Sequence, residues 1–454
     1  MKRVVIVGGG ISGLTTAFYL RRARQDLSLI LLEARERLGG VITTFRDDGL
    51  VVEGGPDSFI IQKPWALQLC HDLGIEKRLI APQPENRKVY VLSGGRLEEL
   101  PPGLMMGAPT RLGPFLKTRL ISWPGKIRMA MDLILPRGGP EGDESLGGFI
   151  RRRVGREALD KIADPILGGI HVSDADRLSL SATFPRLKDL ETRHRSLILG
   201  MRKESAGKPG GESSPFRTLP EGMAELVEAL ERDLQGVDMR RGIAVRRISR
   251  APEVEIPGAT VKADAVIVAM PPAAAAALLQ ADYPELAGAL AAIPCLSTAT
   301  VTLAYRDAHP AVPLDGTGFV MARGESRRIL ACTWSSRKFS GRAPAGVLLV
   351  RCFLGGEEGE GMLRADDDAL VAIAREELAA IMGLRSAPFF ARVYRWSKAN
   401  PVLEVGHAAR LSRIEKQLET ARHLFLTGAG IRGVGIPDCV RDAKAVARLA
   451  ADRL

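Results

Sequence analysis

The chain has 454 residues, 46% of them hydrophobic and 26% charged, and its 64 basic against 53 acidic residues give a formal net charge of +11. That length exceeds one ordinary domain and the apolar content is ample for a sizeable core. The charge fits an acidic substrate or an anionic surface better than nucleic acid, since aromatics are 5% and no RNP-like or zinc-finger pattern appears, and no nucleic-acid partner is expected.

Five scattered cysteines (Cys70, Cys295, Cys332, Cys352, Cys439) form no CxxC pair. They fit a reducing, cytoplasmic compartment and no structural metal. The histidines lack i, i+4 pairing, so a helical zinc site is not expected. The longest apolar stretch, 265–279, is broken by Pro271-Pro272 and cannot cross a membrane. The apolar residues after Met1-Lys2-Arg3 are cut short by glycines and read as a first strand rather than a signal peptide.

In chain order, Val4-Val5-Ile6-Val7 reads as a buried strand, followed at once by Gly8-x-Gly10-x-x-Gly13 and a helical pattern through Leu14, Ala17, Phe18 and Leu20. The run Leu27–Leu32 is a second strand, and it ends on Glu33, twenty residues past Gly13. This is a β-α-β dinucleotide unit. Gly8 allows the tight turn, Gly10 lets backbone approach a pyrophosphate, and Gly13 lets helix and strand pack closely. The helix N-terminus offers unpaired N–H groups to phosphates. Glu33 would accept from ribose hydroxyls and repel a 2′-phosphate.

Arg37-x-Gly39-Gly40 adds a second glycine turn, a feature of flavin rather than nicotinamide sites. Val41–Phe45 and Leu50–Glu53 read as strands around a turn at Asp47-Asp48-Gly49, and the second runs into Gly54-Gly55-Pro56-Asp57-Ser58-Phe59. Residues 64–80 read as helix, and 86–95 as a hairpin. From 96 to 200 the pattern is mostly helical. Between Arg111 and Arg137 it carries Arg111, Lys117, Arg119, Lys126, Arg128 and Arg137 against one acid, Asp132. Such a stretch can lie on a membrane or simply pack on the core.

Residues 203–214 read as a polar linker, and 224–234 as a helix. Ile243–Ile248 and Asp264–Ala269 read as strands, followed by an alanine-rich helix. Further strands are expected at 298–305, 328–333 and 347–353, and a helix at 366–382. Leu424–Thr427 then leads into the glycine-rich run Gly428–Gly435, with a closing helix from Val440. That run offers a distant third cradle, which a large planar cofactor needs near its ring carbonyls.

These stretches resemble the FAD-dependent porphyrinogen oxidases of haem biosynthesis, within the amine-oxidase-like flavoproteins. The specific matches are Gly55–Phe59, Glu144-Ser145-Leu146 with Phe149–Arg153, Leu178-Ser179-Leu180 to Phe184-Pro185, His194-Arg195-Ser196-Leu197 and Gly433–Cys439. The covalent-flavin motif SGGCY is missing, so the implied FAD is non-covalent. The resemblance implies an α/β fold, with a Rossmann-like FAD-binding domain (1–66, 213–272 and 412–454), a mixed-sheet substrate domain (67–95 and 273–411) and a helical insertion (96–205) that faces a membrane or the core. It implies oxidation of protoporphyrinogen IX or coproporphyrinogen III, with molecular oxygen as acceptor and other haem-pathway enzymes as partners. The cofactor would carry the chemistry, which accounts for the absence of a Ser/His/Asp set.

By the same resemblance, Gly8, Gly9, Gly10, Ile11, Ser12, Gly13, Glu33, Ala34 and Val41 hold the ADP half and linker. Gly55, Pro56, Asp57 and Ser58 line the isoalloxazine, with Val434, Gly435 and Ile436 on its other side. Val245 meets adenine through its backbone, or is a core strand valine. Trp396 contacts flavin, or is a core tryptophan. Arg87 would pair with a substrate carboxylate, or be a solvated surface arginine. Asp57 is a base or a turn cap, and Cys439 an activated thiol or a buried structural one. No catalytic side chain and no role for His171 is assigned. The chain departs from the family pattern at Asn400-Pro401-Val402-Leu403, before Gly406-His407 resumes the match. The competing readings are an amine oxidase or desaturase, and a membrane-docking or partner-binding protein with a vestigial flavin site.

Overall fold

The computed structural model describes every residue except Met106, Glu141, Ile170, His171 and 206–213. His171 and most of the polar linker therefore lie outside the described residues.

Strands Arg3–Val7, Ser28–Leu32, Asp238–Arg240, Ala265–Val268 and Leu424–Leu426 form a parallel sheet in the order 238–240, 28–32, 3–7, 265–268, 424–426. Their apolar runs are continuous because both faces are covered. Val4, Ile6, Leu29 and Leu31 pack under the first helix (Ile11–Ala23), the helix Ala224–Asp233 and the last helix (Ile436–Arg453). Val5, Val7, Ile30 and Leu32 point the other way, against helices Pro272–Leu279 and Pro284–Ala291 and the strands Arg247–Ile248 and Glu253–Ile256.

A seven-stranded mixed sheet runs in the order 390–401, 295–306, 347–355, 331–333, 316–321, 88–93, 96–99. Helix Asp367–Met382 covers one face, capped by Asp366, whose carboxylate accepts from Ala369 N at 2.8 Å. On the other face Ala304 and Leu349 receive Leu50 and Val52. The strand Leu50–Glu53 is thus laid across this sheet, and the chain that follows it emerges at the boundary between the two sheets.

Helices between Leu112 and Ser205 enclose a separate core that includes Phe115, Phe149, Ile162 and Leu187. Inside it Arg153 donates to Asp132 at 2.7 Å, and Asp132 in turn accepts from Ser196 Oγ and Ile198 N. Arg152 bridges Glu144 and Glu191. Two of the stretches that carry the resemblance, Phe149–Arg153 and His194–Leu197, therefore supply Arg152, Arg153 and Ser196 to a polar network that joins helices. Among the described residues no helix is long and apolar enough to cross a membrane.

Six expectations shift. The helix expected over 64–80 is confined to Trp65–Asp72, because Gly74 (φ +73°) turns the chain before a separate single turn at Glu76–Arg78. The strand expected from Val41 starts at Thr44, because Gly39 (φ +99°) and Gly40 (φ +61°) form a turn in which Ile42 N bonds Gly39 O. Of Ile243–Ile248 only Arg247–Ile248 is strand; the preceding residues run beside Glu33 instead, with Ile243 N donating to Glu33 O at 2.9 Å. The strand expected from Arg328 is confined to Ala331–Thr333. The last helix begins at Ile436 rather than Val440, since Pro437 in its first turn lacks only an N–H that no helical carbonyl would accept. In the basic segment, Lys126 is buried and donates to the carbonyls of Leu116 and Thr118. Arg128 there caps the end of helix Leu146–Val154 through three carbonyls.

Candidate cofactor site

The parallel sheet ends its strands along one edge, where open α/β sheets bind ligands. Gly8 turns there at φ +111°, and a Cβ on it would lie 2.4 Å from Ala269 O. A Cβ on Gly13 would lie 1.9 Å from Gly8 O, so only glycine lets the helix start this close to the strand. Gly10 precedes the first helix without any side-chain cap, leaving the first-turn N–H groups of Ile11, Ser12 and Gly13 open to a ligand. A Cβ on Gly10 would meet only Gly40 Cα, at 3.8 Å.

Glu33 stands half-buried at the tip of the second strand. Its carboxylate accepts from Gly9 N at 2.7 Å and Arg35 N at 2.9 Å, which fixes its direction and leaves lone pairs for hydroxyls. Residues 39–41 lie against this loop, with Gly39 N bonded to Gly9 O and Gly10 bridging Gly39. Val41 is exposed, and its carbonyl abuts Gly55, where a Cβ would come within 2.0 Å. Ala34 is exposed beside Glu33, and Val245 is half-buried just beyond Gly242, whose N bonds Arg35 O at 3.1 Å.

The last helix brings the third cradle to the same edge. Gly435 precedes it with no side-chain cap, so Val434, Gly435 and Ile436 present a second open helix N-terminus. In its first turn, Cys439 lies against Ser12 of the first helix, and burial pushes its thiol up to about 12. Cys439 is therefore a protonated packing group rather than an activated thiol. Lys63 reaches Asp438 at 2.6 Å and ties the chain after Ser58 to this helix.

Gly54–Ser58 is gripped from the seven-stranded sheet. Thr300 Oγ1 and Trp396 Nε1 both donate to Gly54 O, at 3.1 and 2.8 Å. Arg351 donates to the carbonyls of Glu53 and Gly55 at 3.1 and 2.7 Å. The Asp57 carboxylate accepts from Lys338 at 2.8 Å and lies 3.6 Å from Arg351. Burial alone would raise this carboxyl, but Lys338 and Arg351 outweigh it and hold Asp57 well below the ordinary carboxylate range. An ionised, fully engaged carboxylate is an anchor and a poor base.

The sequence-derived residues Gly8 to Gly13, Glu33, Val41, Gly55 to Ser58, Val434 to Ile436 and Trp396 thus form one continuous assembly. Arg87 is exposed, one residue before the strand Lys88–Ser93 that was expected to carry it. Its turn is fastened to the short helix Ser335–Lys338 through Asn86, which donates to Arg337 O at 3.0 Å. Asn400 and Pro401 belong to the strand Phe390–Pro401, and Val402 and Leu403 are buried, so the divergent stretch is interior.

Sequence reasoning missed Thr300, Lys338 and Arg351, and it quoted His407 without giving it a role. His407 is buried, kept neutral by a pKa that burial lowers, and its Nε2 donates to Ile431 O at 2.9 Å, bracing the C-terminal glycine loop. One signal was present: Arg351 stands alone in the apolar strand Val347–Gly355, and a cation there needs buried partners.

Two uncapped helix N-termini, a backbone approach that only glycine permits, and an acid at the second strand tip fit a flavin dinucleotide, and they define a dinucleotide-dependent oxidoreductase. The chain belongs to the family described as flavin containing amine oxidoreductase, which it matches over residues 11–451. Its cofactor is FAD. The chain is 38% identical to the coproporphyrinogen III oxidase of Bacillus subtilis (strain 168), over 98% of this chain and 97% of that one. It is 32% identical to the protoporphyrinogen oxidase of Homo sapiens, over 98% of each. A crystal structure from Exiguobacterium sp. 255-15, provisionally named a protoporphyrinogen oxidase, superposes with a TM-score of 0.90 at 33% identity, covering 100% of this chain and 99% of that one.

Proposed function

We propose that this protein oxidises coproporphyrinogen III or protoporphyrinogen IX to the porphyrin, with molecular oxygen as the final acceptor. The observation that carries the reading is the extent of the likeness: relatives named for these two substrates match 98% of the chain, helical segment included. When bound, FAD supplies the two-electron acceptor, and aromatisation of the macrocycle drives the reaction.

The side chains then have only to bind and orient. The open N–H groups of Gly10 to Gly13 take the pyrophosphate, Glu33 takes ribose hydroxyls, and the Val245 backbone meets adenine. Ala34 and Val41 flank the linker. Gly55, Pro56, Asp57 and Ser58 line one side of the ring and Val434, Gly435 and Ile436 the other, with Trp396 behind the first. Arg87 pairs bidentately with a substrate carboxylate. Residues 1–66, 213–272 and 412–454 act as the FAD-binding unit, 67–95 and 273–411 as the substrate unit, and 96–205 as the helical unit.

The test is anaerobic mixing of the holoprotein with each porphyrinogen, followed by admission of oxygen. Bleaching of the flavin band and then a rise in porphyrin fluorescence are expected, and the ratio of kcat/KM values selects the substrate. Amine turnover without porphyrinogen oxidation would replace the reading with that of an amine oxidase.

The protein acts in the cytoplasm, and one surface favours peripheral contact with an anionic bilayer. Leu112, Leu116, Trp123, Ile127, Met131 and Ile134 are all exposed on adjacent helical turns, Trp123 by 64% and Ile134 by 73%. The only acid of that stretch, Asp132, is buried against Arg153. Co-sedimentation with anionic liposomes, lost in a Trp123→Ser/Ile127→Ser double variant, is expected.

A further inference from the structure

The charges gathered beneath Gly54–Ser58 do not cancel. Two buried carboxylates, Glu53 and Asp57, face three cations, Lys338, Arg342 and Arg351, while Glu221, which also acts on Arg342, is exposed and screened by water. Asp57 is shared by Lys338 and Arg351, and Glu53 lies 3.6 Å from Arg342. Arg342 otherwise donates to Thr218 Oγ1 and to the carbonyls of Leu219 and Pro220. Arg351 otherwise meets the carbonyls of Glu53 and Gly55, and its Nε is buried without a hydrogen-bond partner. Carbonyl dipoles solvate a guanidinium but do not neutralise it. The side chains of Arg342 and Arg351 are only 2% and 5% exposed, so water screens little of this field.

We propose that this uncompensated charge, carried by Arg351 together with Lys338, raises the reduction potential of the bound FAD. A hydride brings one proton and two electrons, so a flavin accepting it would gain one negative charge. The substrate carbon that loses the hydride leaves the macrocycle one positive charge, discharged as a pyrrole N–H proton to solvent. A fixed cation behind Gly55–Ser58 would favour the side of that equilibrium on which a flavin held there is negative. Asp57 limits the effect, because it offsets one of the two cations that it touches. The inference rests on the proposed placement of the ring against Gly55–Ser58.

The test is potentiometric titration of holoprotein variants that change the cluster charge in opposite directions. Arg351→Gln and Lys338→Gln each remove one positive charge. The equilibrium constant for reduction is expected to fall about tenfold in each, roughly 30 mV for a two-electron couple. Asp57→Asn is expected to raise it, and Arg351→Lys to stay near the parent value. A purely structural role would shift every variant the same way, and shifts of one sign throughout would overturn the proposal. Lys338, at 16% the most exposed of the three cations, gives the reading least dependent on refolding of the core. Visible circular dichroism of the flavin is read on the same samples. A changed spectrum with an unchanged potential overturns the charge role alone. If spectrum and potential are both unchanged, the ring does not lie against Gly55–Ser58, and that placement falls with the inference.

Discussion

The two sheets contribute to the candidate site by different chemistry. At the carboxyl edge of the parallel sheet the offered groups are backbone N–H groups, brought close because Gly8, Gly10 and Gly13 carry no side chain. On the seven-stranded sheet they are side chains, Thr300, Arg351 and Trp396, reaching across to the carbonyls of Glu53, Gly54 and Gly55. Backbone recognition needs a short local pattern. Side-chain recognition needs only one suitable residue on each of several strands that are distant in sequence.

Substitutions on either side sharpen that contrast. The largest loss is expected from Arg342→Met, which strands the buried Glu53 carboxylate without its cation. Urea unfolding should show about 3–5 kcal/mol less stability, and a loss under 1 kcal/mol would mean that Thr44 and Met223 N suffice for Glu53. Gly13→Ala comes next, since its Cβ would sit 1.9 Å from Gly8 O and force helix and strand apart. FAD affinity should fall by about 3 kcal/mol, roughly a hundredfold, and FAD retained through dialysis would break the backbone account. Glu33→Gln removes a charged acceptor used by Gly9 and Arg35, and FAD binding measured by fluorescence quenching should weaken by about 2 kcal/mol. Trp396→Phe keeps an aromatic ring, smaller than the indole, but loses the donation to Gly54 O, so about 1 kcal/mol of stability should go, with the flavin spectrum perturbed.

The smallest expected effect is on pH dependence and concerns the core under the parallel sheet. Burial raises the thiols of Cys70 and Cys439 to about 12 from an ordinary value near 9. Above pH 9 the unfolded chain loses these protons while the folded chain keeps them. Their contribution is therefore complete below pH 9 and declines as pH rises toward 12. Urea midpoints followed from pH 8 to 11 should fall, and the Cys70→Ala/Cys439→Ala double variant should flatten the fall.

How far each part could be read from residues follows the same division. The run Val4–Gly13 and the acid Glu33 were legible because strand, turn and helix fall within one local unit. The turn at Gly39-Gly40 was legible as glycines but not as a turn that delays the next strand. Pro437 was misread as lying before the last helix, although proline is well placed in a first helical turn. The motifs Phe149–Arg153 and His194–Leu197 were legible as family marks, but nothing local says that they supply Arg152, Arg153 and Ser196 to a polar network around Asp132.

By itself the sequence determined a dinucleotide unit, an α/β chain and a resemblance strong enough to name FAD. Those features depend on local spacing and on residues whose side chains are absent or fixed. Only the tertiary structure decided that the two uncapped helix N-termini meet at one edge, through Ser12 and Cys439. It alone decided that Asp57 is an anchored anion rather than a base, and that Lys338, Arg342 and Arg351 outnumber Glu53 and Asp57 beneath the Gly54–Ser58 segment. The physical reason is that ionisation and net local charge depend on distance and desolvation. Those are fixed by the crossing of segments nearly three hundred residues apart, as in the 281-residue separation of Asp57 and Lys338.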